Sequence, residues 1–569
     1  MKKIWRTKPL NTAIQDTFFQ ELKISKIMAQ LLSNRGIESA KEGREFIACS
    51  LSSCHDPFLM KDMDKAVGRI KSAVMNKDKI LIYGDYDVDG MTGVTVLYMA
   101  LKNLGAIVET YIPNRLEEGY GLNVAAVKKA HKDGVSLIVT VDCGISSFKE
   151  IGHAGAYKID VIVTDHHEIV DSRLPEAYAI INPLQAECKY PFKHLAGVGL
   201  AYKLAKALYE GTPFLAEDFL DLVSLGTIAD IVPLKGENRI LAKHGLVEIN
   251  RKTRVGLEAL TEASGLSGKV VSSTHIGFIL GPRINAMGRT GSPQKALDLL
   301  MTNDKAEALK LAKMLNTENR NRQKIEAGIL EEALSKIERE VNFKHHKIIV
   351  LGSENWHPGV IGIVASKIAN RFYRPAILVS LDGKLGKGSG RSIDNFNLFN
   401  EILKCKDILI GFGGHEAACG ITIEKDKLDD FREKINSQVS EDITEETFSP
   451  QLDIDMDIPL NTLTEDVIGQ IESLAPFGEE NPRPVFSSCD LTVKDGARQI
   501  GKGGFKIWVT DNSTTCEAVS FGRSQMDVPK AGSGVSLAYI PSINDWQGLQ
   551  SIQLELKDIK PFEKNSLKL

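Results

Sequence analysis

The chain has 569 residues, of which 43% are hydrophobic and 25% are charged, and its formal net charge is −4. This length accommodates three or four domains of ordinary soluble composition, and no apolar stretch approaches the length of a membrane span. The small net charge excludes a uniformly basic body, so a nucleic-acid ligand would require a local basic channel.

The N-terminus and the cysteines together indicate a cytoplasmic protein. Residues 1–9 are basic, but no apolar core follows them, so they do not form a signal peptide. The eight cysteines include no Cys-x-x-Cys pair. Scattered cysteines are typical of reduced thiols in the cytoplasm and argue against a structural zinc site.

The predicted elements begin with a helical N-terminal extension, residues 1–48, in which Ile37–Cys49 is amphipathic. From residue 49 to 302, helices alternate with short apolar runs that read as buried parallel strands, which predicts a doubly wound α/β domain. Its strands are predicted at 80–83, 107–112, 137–141 and 161–164, and its helices at 91–104 and 123–133.

The second half of the chain predicts three further parts. Residues 303–342 are rich in Lys, Glu, Ala and Leu and predict a long connecting helix with Asn303 as its N-cap. Residues 343–440 predict a second, smaller α/β domain, and 441–448 an acidic linker. Residues 450–562 contain alternating short runs with glycine turns, which predict a small antiparallel β-barrel, with the OB-fold as the best match.

Polar clusters follow the strands of the first predicted sheet, where each strand ends. They are Asp85, Asp87 and Asp89, then Asp142, then Asp165-His166-His167, and further on Asp230. Ligands of open parallel sheets bind beyond the carboxyl ends of the strands, and gathered carboxylates repel one another unless cations neutralise them. Oxygen ligands with an imidazole favour Mn²⁺ or Mg²⁺, and a pair of such ions commonly assists hydrolysis at phosphorus.

Each cluster alone also permits a simpler interpretation. An Asp-rich loop after a strand is often a helix cap or a turn, and an Asp-His-His triplet is often only a polar loop. Residues 85–90 loosely resemble a calcium loop, but the Glu required at the twelfth position of that loop is here Val96. The ordered series of clusters favours the metal interpretation.

Seven motifs in order resemble the DHH phosphoesterase family, and within it the single-strand-specific 5′→3′ DNA exonucleases. They lie at residues 84–90, 141–144, 164–167, 226–233, 281–289, 388–392 and 413–420. The resemblance implies a DHH catalytic domain at 49–302, a DHHA1-like substrate-binding domain at 343–440 and an OB-like nucleic-acid-binding domain at 450–562.

The resemblance also implies roles at the metal site. Two Mn²⁺ or Mg²⁺ ions are expected, with Asp142 as a catalytically important bridging ligand and His167 contacting the scissile phosphate. The alternative for His167 is support of a neighbouring ligand. The predicted metal ligands are Asp85, Asp87, Asp89, Asp142, His166 and Asp230; for Asp85 both direct binding of an ion and contact with another ligand are open.

Residues that bind the strand are predicted from the later motifs. We expect Arg283 and Arg289 to form a loop that clamps phosphate, although a surface ion pair would be the default without the resemblance. Glycine-rich residues around Ser389 and Arg391 suggest a basic turn for the terminal phosphate. Further candidates for contacts with the nucleic acid are Arg115, His415, and the barrel aromatics Phe505, Trp508 and Trp546, although aromatics of a small barrel are mostly core.

The predicted function is degradation of single-stranded DNA from the 5′ end to mononucleotides, in DNA repair and recombination. One alternative is a smaller DHH phosphoesterase of short oligonucleotides or cyclic dinucleotides, and another is a non-catalytic replication scaffold. The barrel argues against the first and the full ligand set against the second. Single-strand-binding protein and a helicase are candidate partners, and a monomer is expected.

Overall fold

A computed structural model describes residues 3–115, 117–439, 443–501, 503–522, 526–546 and 549–562. The chain divides into two compact units, which are taken in turn below. One comprises Met1–Cys54, Ile231–Lys243 and Pro450–Leu569, and the other comprises His55–Asp230 and His244–Ser449. None of the helices in the described ranges is both long and apolar enough to cross a lipid bilayer.

The N-terminal segment is mainly helical but starts with a strand. Its elements are β1 (Ile4–Thr7), α1 (Thr12–Leu22), α2 (Lys26–Ser33) and α3 (Ala40–Ala48). The amphipathic helix begins later than its predicted start because Ser39 caps it, in a reciprocal capping box with Glu42. Phe18 and Leu32 are buried in the same core as the C-terminal strands, so this segment shares its hydrophobic core with the barrel.

The first sheet is parallel throughout and has the strand order β3-β2-β4-β5-β6. Its strands are β2 (Lys79–Gly84), β3 (Ile107–Tyr111), β4 (Val135–Val141), β5 (Asp160–Thr164) and β6 (Ala179–Ile181). The surrounding helices are α4 (Met63–Asn76), α5 (Val88–Asn103), α6 (Val124–Lys132), α7 (Phe148–Ala156), α8 (Gly197–Leu208) and α9 (Leu220–Ala229). The doubly wound prediction is confirmed, and the strand order reverses direction between β2 and β4, where such sheets bind ligands.

Helix α5 begins at Val88, three residues before its predicted start, because the Asp87 side chain caps it. Gly90 therefore lies inside the first turn of the helix and not before it. A Cβ atom on Gly90 would come within 2.6 Å of the Asp85 carbonyl oxygen, so the glycine is required by close packing.

A helical stretch follows the first sheet and ends in the long connecting helix. The helices are α10 (Gly236–Arg251), α11 (Val255–Ala263), α12 (Ser273–His275), α13 (Gly281–Thr290), α14 (Pro293–Met301) and α15 (Lys305–Glu340), with a π-helical turn at Ile276–Leu280. The prediction of the long helix is confirmed, but Asn303 is not its N-cap. The cap is Asp304, whose Oδ1 accepts the amide of Glu307 at 2.9 Å.

The second sheet has the order β10-β11-β9-β8-β7, with only β7 and β8 parallel. Its strands are β7 (Ile349–Ser353), β8 (Ala376–Asp382), β9 (Leu385–Arg391), β10 (Leu409–Gly414) and β11 (Ala418–Glu424). The helices α16 (Ile361–Phe372), α17 (Leu398–Leu403) and α18 (Leu428–Ser437) complete this part. The hydrophobic core of this part also includes residues from the second half of α15, among them Ile329 and Ile337.

The C-terminal strands close into a barrel. They follow β12 (Gln451–Ile454), β13 (Met456–Asp457) and α19 (Glu465–Glu472), and are β14 (Phe486–Val493), β15 (Arg498–Ile500), β16 (Gly504–Thr510), β17 (Thr515–Ser520), β18 (Gly534–Trp546) and β19 (Leu549–Pro561). The ring runs β14-β18-β19-β17-β16 and returns to β14 through the Thr492–Thr510 and Val493–Val509 pairs. Within the ring only β17 and β19 are parallel. This is an OB-type barrel, as predicted.

Arg239 joins three stretches of the unit that contains the barrel. Its side chain is only 2% exposed, and its guanidinium donates to the carbonyl of Phe46 at 2.6 Å and to the carbonyls of Ser473, Leu474 and Ala475 at 3.2–3.4 Å. The guanidinium also lies 3.8 Å from the centre of the Phe46 ring. The Leu474 carbonyl also accepts from Asn481 Nδ2 at 2.9 Å, so the guanidinium chiefly serves the carbonyls of Phe46, Ser473 and Ala475.

We expect Arg239→Ala to lower the free energy of unfolding of this unit by roughly 2–4 kcal/mol, because several carbonyls lose their donor and a cavity remains. Urea titration followed by the fluorescence of Trp5 and Trp508, which lie in the same unit, measures the change. Lys235→Ala is the matched control, since the partly exposed ion pair of Lys235 with Glu480 contributes only about 0–1 kcal/mol. Equal effects of the two substitutions would contradict the assignment.

Candidate metal centre and end pocket

The polar clusters meet at the carboxyl edge of the first sheet. Asp85 follows β2, Asp142 follows β4, and Asp165, His166 and His167 follow β5. Asp87 caps the N-terminus of α5, and Asp230 stands at the C-terminal end of α9. The parallel strands place the residues that follow them at one edge because their carboxyl ends point the same way, and the ends of α5 and α9 add Asp87 and Asp230.

Three groups of residues each bring their ligand atoms within 4.8 Å of one another. The groups are Asp85 with Asp87 and Asp142, Asp142 with His166 and His167, and Asp89 with His166 and Asp230. His166 Nε2 lies 3.1 Å from Asp142 Oδ1, 3.6 Å from Asp230 Oδ2 and 3.9 Å from Asp89 Oδ2. Asp142 and His166 each belong to two of the three groups, and of the two only the carboxylate of Asp142 has two oxygens with which a ligand could bridge two ions.

Four of these ligand atoms fit a cation better than they fit the protein alone. Asp85 Oδ1, Asp142 Oδ1, His166 Nε2 and Asp230 Oδ2 are buried and have no hydrogen-bond partner among the described residues. Buried polar atoms are normally satisfied, and leaving them unpaired is costly. A divalent cation would satisfy them, and a set of carboxylate oxygens with one imidazole nitrogen suits Mn²⁺ or Mg²⁺.

Backbone amides and glycines hold the carboxylates in place. The two oxygens of Asp89 accept the amides of Gly197 at 2.6 Å and Val198 at 2.8 Å, at the N-terminus of α8. Asp142 has a left-handed backbone with φ of 59°, and a Cβ atom on Gly197 would lie 2.7 Å from the Asp142 Cβ. The site therefore requires a residue without a side chain at position 197.

The acids of this cluster titrate abnormally because they are buried together. Burial, followed by the charge of neighbouring carboxylates, raises the pKa of Asp85, Asp89 and Asp142 well above the usual range. Burial and then Asp87 raise the pKa of Asp230 to about 7, while burial and then His167 lower the pKa of His166 to about 4. The protein without cations therefore resists full ionisation of this cluster.

Stability of the metal-free protein should consequently fall as the pH rises, because the four raised carboxyl pKa values outweigh the opposite contribution of His166, whose pKa is lowered. The pKa of folded Asp230 is about 7 and that of an unfolded Asp is about 3.9, so the folded state binds more protons between these values and loses stability across that window. Calorimetry in EDTA should show the unfolding temperature falling from pH 5 to pH 7.5, and less steeply in Asp230→Asn than in the control Glu176→Gln, whose carboxylate is exposed.

Saturating Mn²⁺ should reverse this loss, by about 2.7 kcal/mol at a hundredfold excess over its Kd. A metal-free unfolding temperature that stays level or rises across the window, together with no response to Mn²⁺, would contradict the site.

Asp165, which the sequence analysis placed in a polar cluster without giving it a role, orients His167. Its Oδ1 lies 2.7 Å from His167 Nδ1 and its Oδ2 accepts the amide of Ile145 at 2.9 Å. Burial acts against ionisation of both partners, but the bond between them outweighs it, so the pKa of Asp165 is lowered and the pKa of His167 is raised. A charged His167 whose Nδ1 is held by Asp165 keeps Nε2 for another partner.

Tyr120 is a residue that the sequence analysis missed. Its hydroxyl donates to the Asp142 carbonyl at 3.2 Å and lies 3.3 Å from His167 Nδ1, while its side chain is 50% exposed. Gly119 and Gly121 on either side have positive φ angles of 84° and 83°. That pair of flanking glycines was the available signal, because left-handed turns of this kind position functional side chains.

A cleft of about 730 Å³ gathers four cationic side chains, which makes it a candidate end pocket. They are Arg115, Arg289, Lys387 and Arg391, accompanied by Ser389 and one carboxylate, Asp382. Burial and then the charges of Arg115, Arg322 and Arg391 lower the pKa of Arg289 to about 10. Within the described residues neither Arg289 nor Arg391 forms an ion pair, so an anion is the missing counter-charge.

Tyr86 connects this end pocket to the metal centre. It stands between Asp85 and Asp87 in the sequence, and the Arg115 guanidinium lies 5.1 Å from the centre of its ring. A Cβ atom on Gly288 would approach the Tyr86 carbonyl oxygen to 2.5 Å, which places α13, the helix of Arg289, directly against the residues that carry the ligands.

Comparison with known proteins shows matches along most of the chain. The N-terminal domain of the DHH family matches residues 79–227, the DHHA1 domain 345–441 and the RecJ OB domain 454–558. The single-stranded-DNA-specific exonuclease RecJ of Bacillus subtilis is 40% identical over 95% of this chain and 68% of its own length. The Escherichia coli exonuclease of the same name is 34% identical over 96% of this chain and 98% of its own.

The chain belongs to the RecJ family. Among solved structures, RecJ of Thermus thermophilus in complex with Mn²⁺ has a TM-score of 0.85 at 29% identity, covering 98% of this chain and 80% of that one. A manganese-bound exonuclease RecJ has a TM-score of 0.59 at 36% identity, covering 66% of this chain and 94% of that one.

Two predictions for phosphate contacts in this RecJ-family chain need correction. Arg283 and Arg289 lie on a helix, α13, and not on a loop, and six residues along a helix place them on different faces. Arg283 donates to Asn316 Oδ1 at 3.1 Å and to the Ile279 carbonyl at 2.6 Å and does not line the end pocket. The prediction of a joint arginine clamp on a loop is therefore wrong. Pro282 does not prevent the helix from forming, because proline is tolerated in the first turn of a helix.

Ser389 and Arg391 lie on strand β9 and not on a turn. Its glycines serve packing, since a Cβ atom on Gly388 would lie 2.5 Å from Ile421 and one on Gly390 2.9 Å from Leu398. The alternation of the strand puts Lys387, Ser389 and Arg391 in the end pocket. His415 stands exposed between β10 and β11, outside the end-pocket lining, and its role stays a prediction.

The predictions for the three barrel aromatics have different outcomes. Phe505 is 4% exposed and belongs to the barrel core, so the prediction that it stacks on bases is wrong. Trp508 is 37% exposed and follows Lys506 on the outer side of β16, so its role in stacking on bases stays a prediction. The side chain of Trp546 lies outside the described residues.

Proposed function

We propose that this chain is a single-stranded-DNA-specific exonuclease that hydrolyses phosphodiester bonds at a Mn²⁺ or Mg²⁺ centre. The observation that carries the proposal is the set of buried, unpaired ligand atoms beside a cleft of unpaired arginines. The family to which the chain belongs supports the same activity, since the relatives named above are single-stranded-DNA-specific exonucleases and the related structures contain Mn²⁺ or Mg²⁺.

The metal ligands in this proposal are Asp85, Asp87, Asp89, Asp142, His166 and Asp230, which would hold two ions, with Asp142 between them. Divalent ions there would supply Lewis acidity and activate water at neutral pH. The carboxylates set the position of that chemistry, and the amides of Gly197 and Val198 fix the orientation of Asp89.

His167 is proposed to contact the phosphate that is cleaved. Asp165 holds its Nδ1 and favours its charged form, and its side chain is nearly half exposed. A cation in this position stabilises negative charge that develops on the phosphate oxygens. Support of a neighbouring ligand is the competing role, and it would require Nε2 to be engaged within the protein.

The end pocket is proposed to hold a terminal 5′ phosphate through Arg289, Arg391 and Ser389. An anchored end fixes the distance from the terminus to the bond that is cleaved, which yields mononucleotides and sets the 5′→3′ direction. The side chain of Trp508 on the barrel would add a stacking contact for longer strands. Single-strand-binding protein and a helicase remain predicted partners.

Replacement of the bridging residue tests the metal chemistry. Asp142→Ala should reduce hydrolysis of a labelled single strand in Mn²⁺ by at least about a thousandfold, because removal of a ligand shared by two ions disables both. Binding of the strand should persist or tighten, since a negative charge near phosphate is lost. Glu176→Ala, an exposed carboxylate of the same unit, is the control, and substantial activity of Asp142→Ala at saturating Mn²⁺ would refute the bridging role.

Removal of one end-pocket arginine tests end recognition. Arg391→Ala should weaken the use of 5′-phosphorylated strands by roughly 5- to 150-fold, the effect of losing a charged contact of about 1–3 kcal/mol, and affect 5′-hydroxyl strands much less. Comparison of kcat/KM on both substrates measures this preference. Arg283→Ala, which removes an arginine outside the end pocket, should leave the preference unchanged, and equal loss on both substrates in Arg391→Ala would contradict the role.

A further inference from the structure

Arg289 borders a second cleft in addition to the end pocket. This second cleft has a volume of about 680 Å³, and its walls come from α13, α15 and α16 and from the π-helical turn that precedes α13. Its volume falls in the range of small-molecule sites. Apart from Arg289, its lining residues take no part in the proposed metal centre or end pocket.

Phe278 is the aromatic side chain of this second cleft. The π-helical turn Ile276–Leu280 buries Ile276 and Leu280 and turns Phe278 outward, so that its side chain is 80% exposed. No other large hydrophobic side chain in the described ranges is more exposed. π-Helical turns frequently occur at functional sites, and an exposed ring offers a face on which a nucleobase can stack.

The walls of the second cleft are positively charged overall. Arg289, Arg322 and Lys367 line it together with a single carboxylate, Glu326. Arg322 donates to Glu326 at 2.5 Å, and Lys367 pairs with the same carboxylate. Glu326 therefore holds the two cations in place, and the surplus positive charge is available to a phosphate.

A polar contact links the second cleft to the metal centre. Asn285 Oδ1 accepts the amide of Val88 at 3.1 Å, and Val88 directly follows the predicted ligand Asp87. With that oxygen engaged, Asn285 offers amide N–H donors to a ligand in the cleft. The lining thus combines an aromatic face, an amide donor and arginines, which is the set of groups that recognises a nucleotide.

We propose that the second cleft is a nucleotide subsite in which Phe278 stacks on the base and Arg289, Arg322 and Lys367 attract its phosphate. The proposal rests on the proposed function and adds to it a contact with the base, which neither the metal centre nor the end pocket provides. A nucleotide of the bound strand and a free nucleotide share the chemistry that the subsite recognises.

Binding experiments test the subsite in the full chain carrying Asp142→Ala, so that strands stay intact. Fluorescence anisotropy of a labelled, 5′-phosphorylated oligothymidylate compares this parent with three derivatives: Phe278→Ala, Phe278→Trp and the control Met75→Ala, whose side chain is equally exposed on α4. Phe278→Ala should weaken binding roughly 5- to 100-fold, the effect of losing one base–aromatic stack. Phe278→Trp and Met75→Ala should bind like the parent, and all should unfold at the same temperature.

Competition with thymidine 5′-monophosphate distinguishes the two sources of the nucleotide. Displacement of the labelled strand from the parent but not from Phe278→Ala shows a site that takes a free nucleotide, whereas loss of strand binding without such displacement shows a site for the strand itself. Both results support the subsite. Unchanged strand binding by Phe278→Ala, or equal weakening by Phe278→Ala and Phe278→Trp, overturns it.

Hydrolysis by the chain with Asp142 intact separates the subsite from the proposed function. A chain that degrades strands in Mn²⁺ with no dependence of strand binding on Phe278 overturns the subsite alone. A chain that binds strands through Phe278 but hydrolyses none in Mn²⁺ or Mg²⁺ keeps the subsite and overturns the exonuclease proposal.

Discussion

Repulsion among buried carboxylates is the constraint on which the site depends. Five aspartates and two histidines that could hold a metal ion gather at the carboxyl edge of one sheet, where burial raises the pKa values of four of these acids. The fold tolerates this arrangement because backbone amides hold Asp89 and because Asp142 adopts a left-handed backbone against Gly197. Divalent cations would relieve the remaining repulsion, so cation binding and the stability of this edge are linked.

Positive charge is concentrated in a cleft of the same unit. Arg115, Arg289 and Arg391 line one cleft, and the ring of Tyr86 lies between Arg115 and the acidic loop. Hydrolysis of a phosphodiester would use both groups, because arginines attract its phosphate oxygens and the carboxylates would hold the cations that activate water. The formal net charge of −4 does not reveal this separation of acidic and basic groups, because the basic surface is local.

The sequence was informative where one rule of geometry decides the outcome. Parallel strands must place the residues after them at one edge, so the meeting of Asp85, Asp142 and His166 followed from the position of the strands. It was less informative where one residue type serves two purposes. The glycines beside Ser389 suggested a turn, but they allow β9 to pack against Ile421 and Leu398. Asp165 and Tyr120 act through His167 and Asp142, and such supporting contacts leave no spacing signal.

The predicted metal ligands and the barrel belong to different units, a division that residue spacing alone did not show. Every predicted metal ligand and the whole end pocket lie in the unit His55–Asp230 and His244–Ser449, so that unit contains the full set of groups for the chemistry. The barrel instead shares its core with the N-terminal helices, whose Phe18 and Leu32 would be left exposed without it. Residues 1–48 therefore form one hydrophobic core with the barrel, and every predicted metal ligand lies outside the unit that contains this core.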